Sequence, residues 1–289
     1  MAAWTDRFWN SVDGLKLHYR DYDGPHGRPP IICLPGLTRN ARDFEPVADR
    51  FAGEWRVISV DLRGRGMSGY DPKPEQYLPV VYAADILKML DQLGIADAVF
   101  LGTSLGGIVT MVLAGSDNER IAGALLNDIG PEIDQAGIDR IGSYVGKDAR
   151  YRDWAEVAKA LADRNGDKFP RWGAGEWDRF ARRVARENDD GSIGYDYDMA
   201  IAANFHAAAE APPMDVWHYY QALEGRPVTI LRGEYSDLLD AGIAERMARE
   251  LTDAEMVIVP AVGHTPNLEE PESLAAIERL LARVLAREA

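Results

Sequence analysis

The chain has one cysteine in 289 residues, Cys33, so no disulfide can form within it. That residue stands in the apolar run Ile31-Ile32-Cys33-Leu34, where a thiol reads as a small buried hydrophobe. Basic side chains are also in deficit, with 32 Lys and Arg against 47 Asp and Glu and a net charge of −15. Such a surface repels phosphate backbones and anionic bilayers, so neither nucleic acid nor a membrane is expected as a partner. No apolar stretch approaches the length of a membrane span. The N-terminus, Met1-Ala2-Ala3-Trp4-Thr5-Asp6-Arg7, has no core of signal-peptide length, and a reducing cytoplasm fits best. A Gly-rich phosphate loop, a Cys/His cluster and zinc-ligand spacing are all missing, so neither cofactor nor metal is expected. Internal repeats and low-complexity tracts are absent too.

What is present is an alternation of strands and helices. Trp4 to Val12 and Leu15 to Tyr22, divided by Asp13-Gly14, read as a hairpin. Ile31 to Leu34 and Arg56 to Val60 are apolar runs too short for helices and read as strands buried on both faces. A helix through Phe44, Val47 and Phe51 lies between them. Another from about Val80 to Leu93 leads to the strand before Gly102, and Ile121 to Leu126 is strand-like again. The pattern calls for a mostly parallel twisted α/β sheet with helices on both faces.

From Asn127-Asp128-Ile129-Gly130-Pro131 to about Gly225 no convincing strand is found. Helices are expected at Trp154 to Asp163, Glu176 to Glu187 and Asp198 to Ala209, among many aromatic residues. The expected organisation is a sheet core of residues 1–130 and 226–289, with 131–225 inserted as a helical lid over the sheet edge where such folds bind ligands. Taken singly, each of these aromatics suits the insert's own core better than a ligand. The α/β pattern resumes with a strand at Pro227 to Arg232, a helix at Ala241 to Leu251, a strand at Glu255 to Val259 and a helix from Glu272 to Ala286.

The chemistry centres on Leu101-Gly102-Thr103-Ser104-Leu105-Gly106-Gly107. A hydroxyl raised at a tight strand-to-helix turn needs small neighbours, because side chains at Gly102 or Gly106 would strike the adjoining strand or the departing helix. That helix aims its positive end at Ser104 and leaves the amide of Leu105 free for an oxyanion. A serine hydroxyl becomes nucleophilic at neutral pH only when a base takes its proton. His18 lies in a strand, His26 in a Pro/Gly loop, and His206 and His218 in the insert. His264 alone follows a sheet strand in a loop able to reach Ser104. A carboxylate must hold the imidazole in one tautomer. Asp237, beyond the strand ending at Arg232, is the favoured acid, and Asp128 is the alternative.

Taken together, these residues resemble the α/β-hydrolase superfamily over nearly the whole chain. Gly102-Thr103-Ser104-Leu105-Gly106-Gly107 is similar to its nucleophile elbow, Asp61-Leu62-Arg63-Gly64-Arg65-Gly66-Met67-Ser68 to its Asp-x-Arg-Gly-x-Gly-x-Ser stretch, and Gly263-His264 to its histidine loop. The resemblance implies an oxyanion hole from the amides of Leu37 and Leu105, and a structural role for Asp61, Arg63 and Arg65. One departure is Pro35-Gly36, where most relatives carry His-Gly. Serine at the elbow separates the chain from epoxide hydrolases and haloalkane dehalogenases, which use a carboxylate there. The expected activity is hydrolysis of a carboxylic ester or lactone of a small, largely apolar substrate through an acyl-enzyme. Alternatives are a carbon-carbon bond hydrolase of ring-cleavage products, a cofactor-free perhydrolase or haloperoxidase, and a non-turnover ligand receptor. Thr265-Pro266, where carbon-carbon hydrolases usually place tryptophan after the histidine, lowers the first of these.

Overall fold

The computed structural model describes residues 1–210 and 216–288. β1 (Trp4–Asn10) and β2 (Lys16–Tyr22) form the expected hairpin, whose loop turns at Gly14 with φ of 85°. There follow β3 (Ile31–Leu34), α1 (Glu45–Phe51), β4 (Val57–Asp61), α2 (Pro79–Leu93), β5 (Ala98–Thr103), α3 (Leu105–Ser116) and β6 (Ile121–Asn127). The next segment holds α4 (Gln135–Gly142), α5 (Trp154–Asn165), α6 (Ala174–Val184), β7 (Ala185–Glu187), β8 (Ile193–Tyr195), α7 (Ile201–Glu210) and α8 (Trp217–Gln221). The chain closes with β9 (Val228–Gly233), α9 (Ala241–Glu250), β10 (Ala254–Val259) and α10 (Pro271–Glu288).

Eight strands form one sheet in the order β1-β2-β4-β3-β5-β6-β9-β10. The β1-β2 and β2-β4 pairs are antiparallel, and every pair from β4 to β10 is parallel. Parallel strands covered on both faces need apolar residues at successive positions, because alternate side chains point to opposite sides. Ile32, Leu34 and Phe100 therefore join a core with α2, α3 and α9. Ile31, Cys33, Val99 and Leu101 join another with α1 and α10. Burial there pushes the Cys33 thiol well above its ordinary range and keeps it protonated. No helix among the described residues is long and apolar enough to cross a membrane.

The segment between β6 and β9 differs from expectation in one respect. The helix expected to run to Glu187 stops at Val184, and Ala185–Glu187 pairs antiparallel with Ile193–Tyr195. Strands of three residues are shorter than any window in which alternation can be read. This hairpin ties the segment to the core. The Gly66 N–H donates to the Asp196 carbonyl at 3.2 Å, and the Asp198 N–H to the Gly64 carbonyl at 2.7 Å. The Asn40 side chain donates to the Arg183 carbonyl at 2.9 Å, and Arg42 pairs with Asp196 at 2.8 Å. Of the span 131–225 expected as a lid, residues 211–215 lie outside those described.

Two local features hold the sheet's C-terminal edge. Arg63, in the loop after β4, is 1% exposed and gives Asp85 two bonds at 2.6 and 2.8 Å, with further bonds to Asp71 and Asp13. At the β5-α3 turn, a Cβ on Gly106 would overlap the Leu34 carbonyl of β3, and one on Gly102 would overlap the backbone of Gly106 and Gly107. In both cases the obstacle is backbone, which cannot swing aside.

Arg63→Leu leaves buried carboxylates without a counter-charge, so its urea midpoint is expected to report a loss of about 3–5 kcal/mol. Asp13 adds a pH signature. Hydrogen bonds from Arg63, then from Ser11, hold its carboxyl at about 2, below the ordinary 3.8. Its contribution is therefore present above about 3.8 and lost as pH falls toward 2, and that part of the acid profile should shrink in Arg63→Leu, where the Ser11 bond remains. Gly106→Ala is expected to lower stability by about 1–3 kcal/mol, or to prevent folding, in the same assay; an unchanged midpoint would contradict the close packing at the turn.

Candidate active site

Every residue singled out for chemistry follows the C-terminal end of a parallel strand. Leu37 comes after β3, Ser104 after β5, Asp128 after β6, Asp237 after β9 and His264 after β10. This rim is where open α/β sheets place their ligands, because strand ends and helix N-termini converge there. Ser104 has φ of 51° and ψ of −115°, a left-handed conformation that a non-glycine residue adopts at a cost of order 1–3 kcal/mol. Its N–H donates to the Asn127 carbonyl at 3.0 Å, which fixes the turn to the neighbouring strand. Leu105 is the first residue of α3, so its N–H has no acceptor within the helix.

Far apart in sequence, Ser104 and His264 stand side by side. The Ser104 hydroxyl and His264 Nε2 are 3.0 Å apart. His264 Nδ1 is 2.8 Å from Oδ2 of Asp128. Because a carboxylate only accepts, Nδ1 carries the hydrogen and Nε2 presents its lone pair to the serine.

The favoured acid, Asp237, is not the partner of His264. Its carboxylate is taken by Arg140 of α4, which donates from Nε at 2.6 Å and from Nη2 at 2.9 Å, with Lys168 at 3.8 Å. Burial opposes the charge on Asp237, but the bonds and charge of Arg140, with Lys168 and His264 nearby, outweigh it and hold the carboxyl below its ordinary range. The physical reason for the exchange lies in the β9 loop. After Gly233 the chain turns so that Ser236 faces inward and Asp237 moves on toward α4. The Gly233 N–H donates to Asp128 Oδ1 at 2.9 Å, and the Ser236 hydroxyl to Oδ2 at 2.7 Å. That loop therefore supplies donors for an acid on the adjacent strand rather than the acid itself. Asp128 is 0% exposed, with φ of 58°, a region that aspartate tolerates better than most residues.

Two supporting residues were not singled out from sequence. Asn127 donates from Nδ2 to the Pro266 carbonyl at 2.9 Å and to the Thr103 hydroxyl at 3.1 Å, joining the serine and histidine loops. Ser236 is the other. A polar residue closing the apolar run Ala122-Gly123-Ala124-Leu125-Leu126 was the available sign for Asn127; nothing in sequence marked Ser236. The loop carrying Pro35-Gly36, where His-Gly would be usual, is braced by Arg65. That buried guanidinium donates to the Leu37 carbonyl at 2.9 Å and to the Tyr82 hydroxyl at 3.0 Å.

A cleft opens beside His264, with about 620 Å³ of atom-free space, part of it open to solvent. Tyr144, Phe169, Phe180 and Tyr195 line it, so some aromatics of the segment between β6 and β9 do reach the site. Phe169, Trp172, Trp177 and Phe180 also pack on one another, with ring centres 4.4 to 6.1 Å apart. The lining is not purely apolar, since Arg39, Arg140, Arg164, Asn165 and Asn267 share it.

Known proteins resemble this chain over most of its length. The sequence is 31% identical over 270 residues to the 3-hydroxybutyrate-oligomer hydrolase of Cupriavidus necator, covering 90% of each chain. It is 28% identical over 260 residues to the 2-(acetamidomethylene)succinate hydrolase of Mesorhizobium japonicum, covering 88% of each. The crystal structure of an alpha/beta hydrolase from Novosphingobium aromaticivorans superposes with a TM-score of 0.94 at 48% identity, covering 98% of this chain and 99% of that one. With the model of the alpha/beta hydrolase family matching residues 31–277, and a mostly parallel sheet that brings serine and histidine together at its rim, the chain belongs to that family.

Proposed function

We propose that the protein hydrolyses a carboxylic ester or lactone through an acyl-enzyme formed on Ser104. The observation that carries this reading is the continuous hydrogen-bonded chain from Ser104 through His264 to Asp128. His264 takes the hydroxyl proton as Ser104 Oγ attacks the carbonyl carbon, and the imidazolium so formed is stabilised by Asp128. The amides of Leu105 and Leu37 would receive the negative oxygen, and Arg65 braces the loop from the Leu37 carbonyl, one peptide further on. Collapse of the tetrahedral intermediate breaks the bond to the leaving alkoxide, which takes its proton from His264. Water then attacks the acyl-serine with His264 again as base, releasing the acid and restoring the serine. The similarity to a protein named for hydrolysing 3-hydroxybutyrate oligomers, themselves esters, supports an ester over other acyl substrates. The segment between β6 and β9 serves in this reading as the cover of the cleft.

A fluorophosphonate probe is expected to label the wild-type protein at Ser104 and to leave Ser104→Ala unlabelled. With 4-nitrophenyl esters, Asp128→Asn should lower kcat by roughly 10³–10⁴-fold, because the asparagine favours the wrong histidine tautomer. Asp237→Asn should lose no more than about tenfold, since it acts on the cleft wall rather than on the imidazole. The opposite order of these two variants would return the acid to Asp237, and absence of labelling would remove the covalent mechanism.

A further inference from the structure

We propose that the cleft selects esters bearing a free carboxylate, and that Arg164 is the residue that holds it. The inference rests on the ester-hydrolase reading and adds a substrate class to it. Three arginines line the cleft beside His264, and their surroundings differ. Arg140 is matched by Asp237, and Arg39 by Asp43 at 2.7 Å. Arg164 has no carboxylate within ion-pair distance among the described residues. Among the described residues its Nη2 reaches only the Tyr195 hydroxyl, at 3.3 Å, and its Nε, like that of Arg39, is buried without an acceptor, so that the missing carboxylate is what sets Arg164 apart.

A partly buried guanidinium left without a counter-ion is unfavourable in a folded chain. Here it is also held in place. The Arg164 guanidinium lies 4.3 Å from the ring centre of Tyr144 and 5.7 Å from that of Tyr195, and Tyr195 stacks on Tyr197. Aromatic faces on a guanidinium fix its plane while leaving its charge unneutralised, which suits a planar anion such as a carboxylate. The charge of the whole chain points the same way. A protein of net charge −15 repels anions from most of its surface, so an unmatched cation inside the cleft marks the spot where one is accepted. The expectation of a largely apolar substrate gives way, in this reading, to one that is apolar along the aromatic wall and anionic at one end.

The test uses two matched pairs of esters, each differing only by carboxylate against carboxamide. 4-Nitrophenyl hydrogen glutarate and its carboxamide analogue place the group on the acyl side; 3-(butanoyloxy)butanoate and its amide place it on the alcohol side. In at least one pair the carboxylate is expected to have the higher kcat/KM by about tenfold or more, and Arg164→Met to collapse that ratio through KM rather than kcat. Arg164→Lys should restore part of the ratio. Equal rates within both pairs, or equal slowing of both members by Arg164→Met, would overturn the proposal while leaving the hydrolase reading intact. If no ester is turned over and Ser104 resists labelling, the hydrolase reading fails instead. Glutarate binding to Ser104→Ala, followed by calorimetry, then tests the anchor without turnover: a weakening of about tenfold on adding Arg164→Met sustains it, and no binding or no weakening overturns it.

Discussion

A carboxylate with no exposure to water must be given donors by the protein, and Asp128 is the place where this chain does so. Moving such a charge out of water is unfavourable by several kcal/mol unless its oxygens are satisfied. The Gly233 amide at the end of β9, the Ser236 hydroxyl in the loop after it and the His264 ring after β10 supply those bonds. The sheet order is what makes this possible, because β6 stands between β5 and β9 and its end faces both the serine turn and the two later loops. Asn127, one residue earlier, completes the arrangement. Its carbonyl holds the Ser104 amide and its side chain holds the Pro266 carbonyl. Two consecutive residues at one strand end thus set the positions of Ser104, His264 and the buried carboxylate together.

The same rim is kept closed by residues whose value is their smallness. A Cβ on Gly233 would overlap the Val262 and Gly263 carbonyls, so the β9 and histidine loops approach each other only across a glycine. Gly106 allows the corresponding approach of α3 to β3. Behind them, Arg63 and Arg65, both nearly free of solvent, anchor the loop after β4. Arg63 gathers carboxylates, whereas Arg65 gathers neutral acceptors and holds the Leu37 carbonyl. The segment between β6 and β9 is hydrogen-bonded to this loop through Asp196 and Asp198, so the wall of the cleft and the strand ends beneath it are positioned by shared contacts.

Much of this was legible in the sequence because it is local. Buried strands appear as short apolar runs, and the Ser104 turn combines a strand, a glycine and a small-residue helix within a dozen positions. His264 was readable by elimination, being the histidine that follows a strand of the resumed pattern. The acid was not, because Asp128 and Asp237 both follow strand ends. Choosing between them requires the lateral order of β6, β9 and β10 and the direction in which the β9 loop turns. Neither leaves a local trace. The β7-β8 hairpin escaped for a different reason, since three-residue strands are stabilised by their pairing and by the core loop they touch rather than by their own alternation. From sequence the aromatic segment reads as mainly self-packing. Trp172 and Trp177 bear that out, but Phe169 and Phe180 belong both to that cluster and to the cleft.

Asp128 and Asp237 show how environment separates two carboxylates that stand near one histidine loop. Asp237 is gripped side-on by Arg140 with Lys168 close by, so its charge is already spent on permanent cations. An imidazolium forming at His264 would gain little from a carboxylate neutralised in that way, and it would meet the repulsion of the arginine behind it. Among the described residues Asp128 accepts only from a neutral amide, a neutral hydroxyl and the imidazole itself, so its charge stays available for the moment the ring takes up a proton. Burial strengthens that attraction, since little solvent intervenes between the two groups. The arginine partner of Asp237 thus argues against it as the acid independently of distance, and the lack of any such partner at Asp128 among the described residues is what suits it to the role.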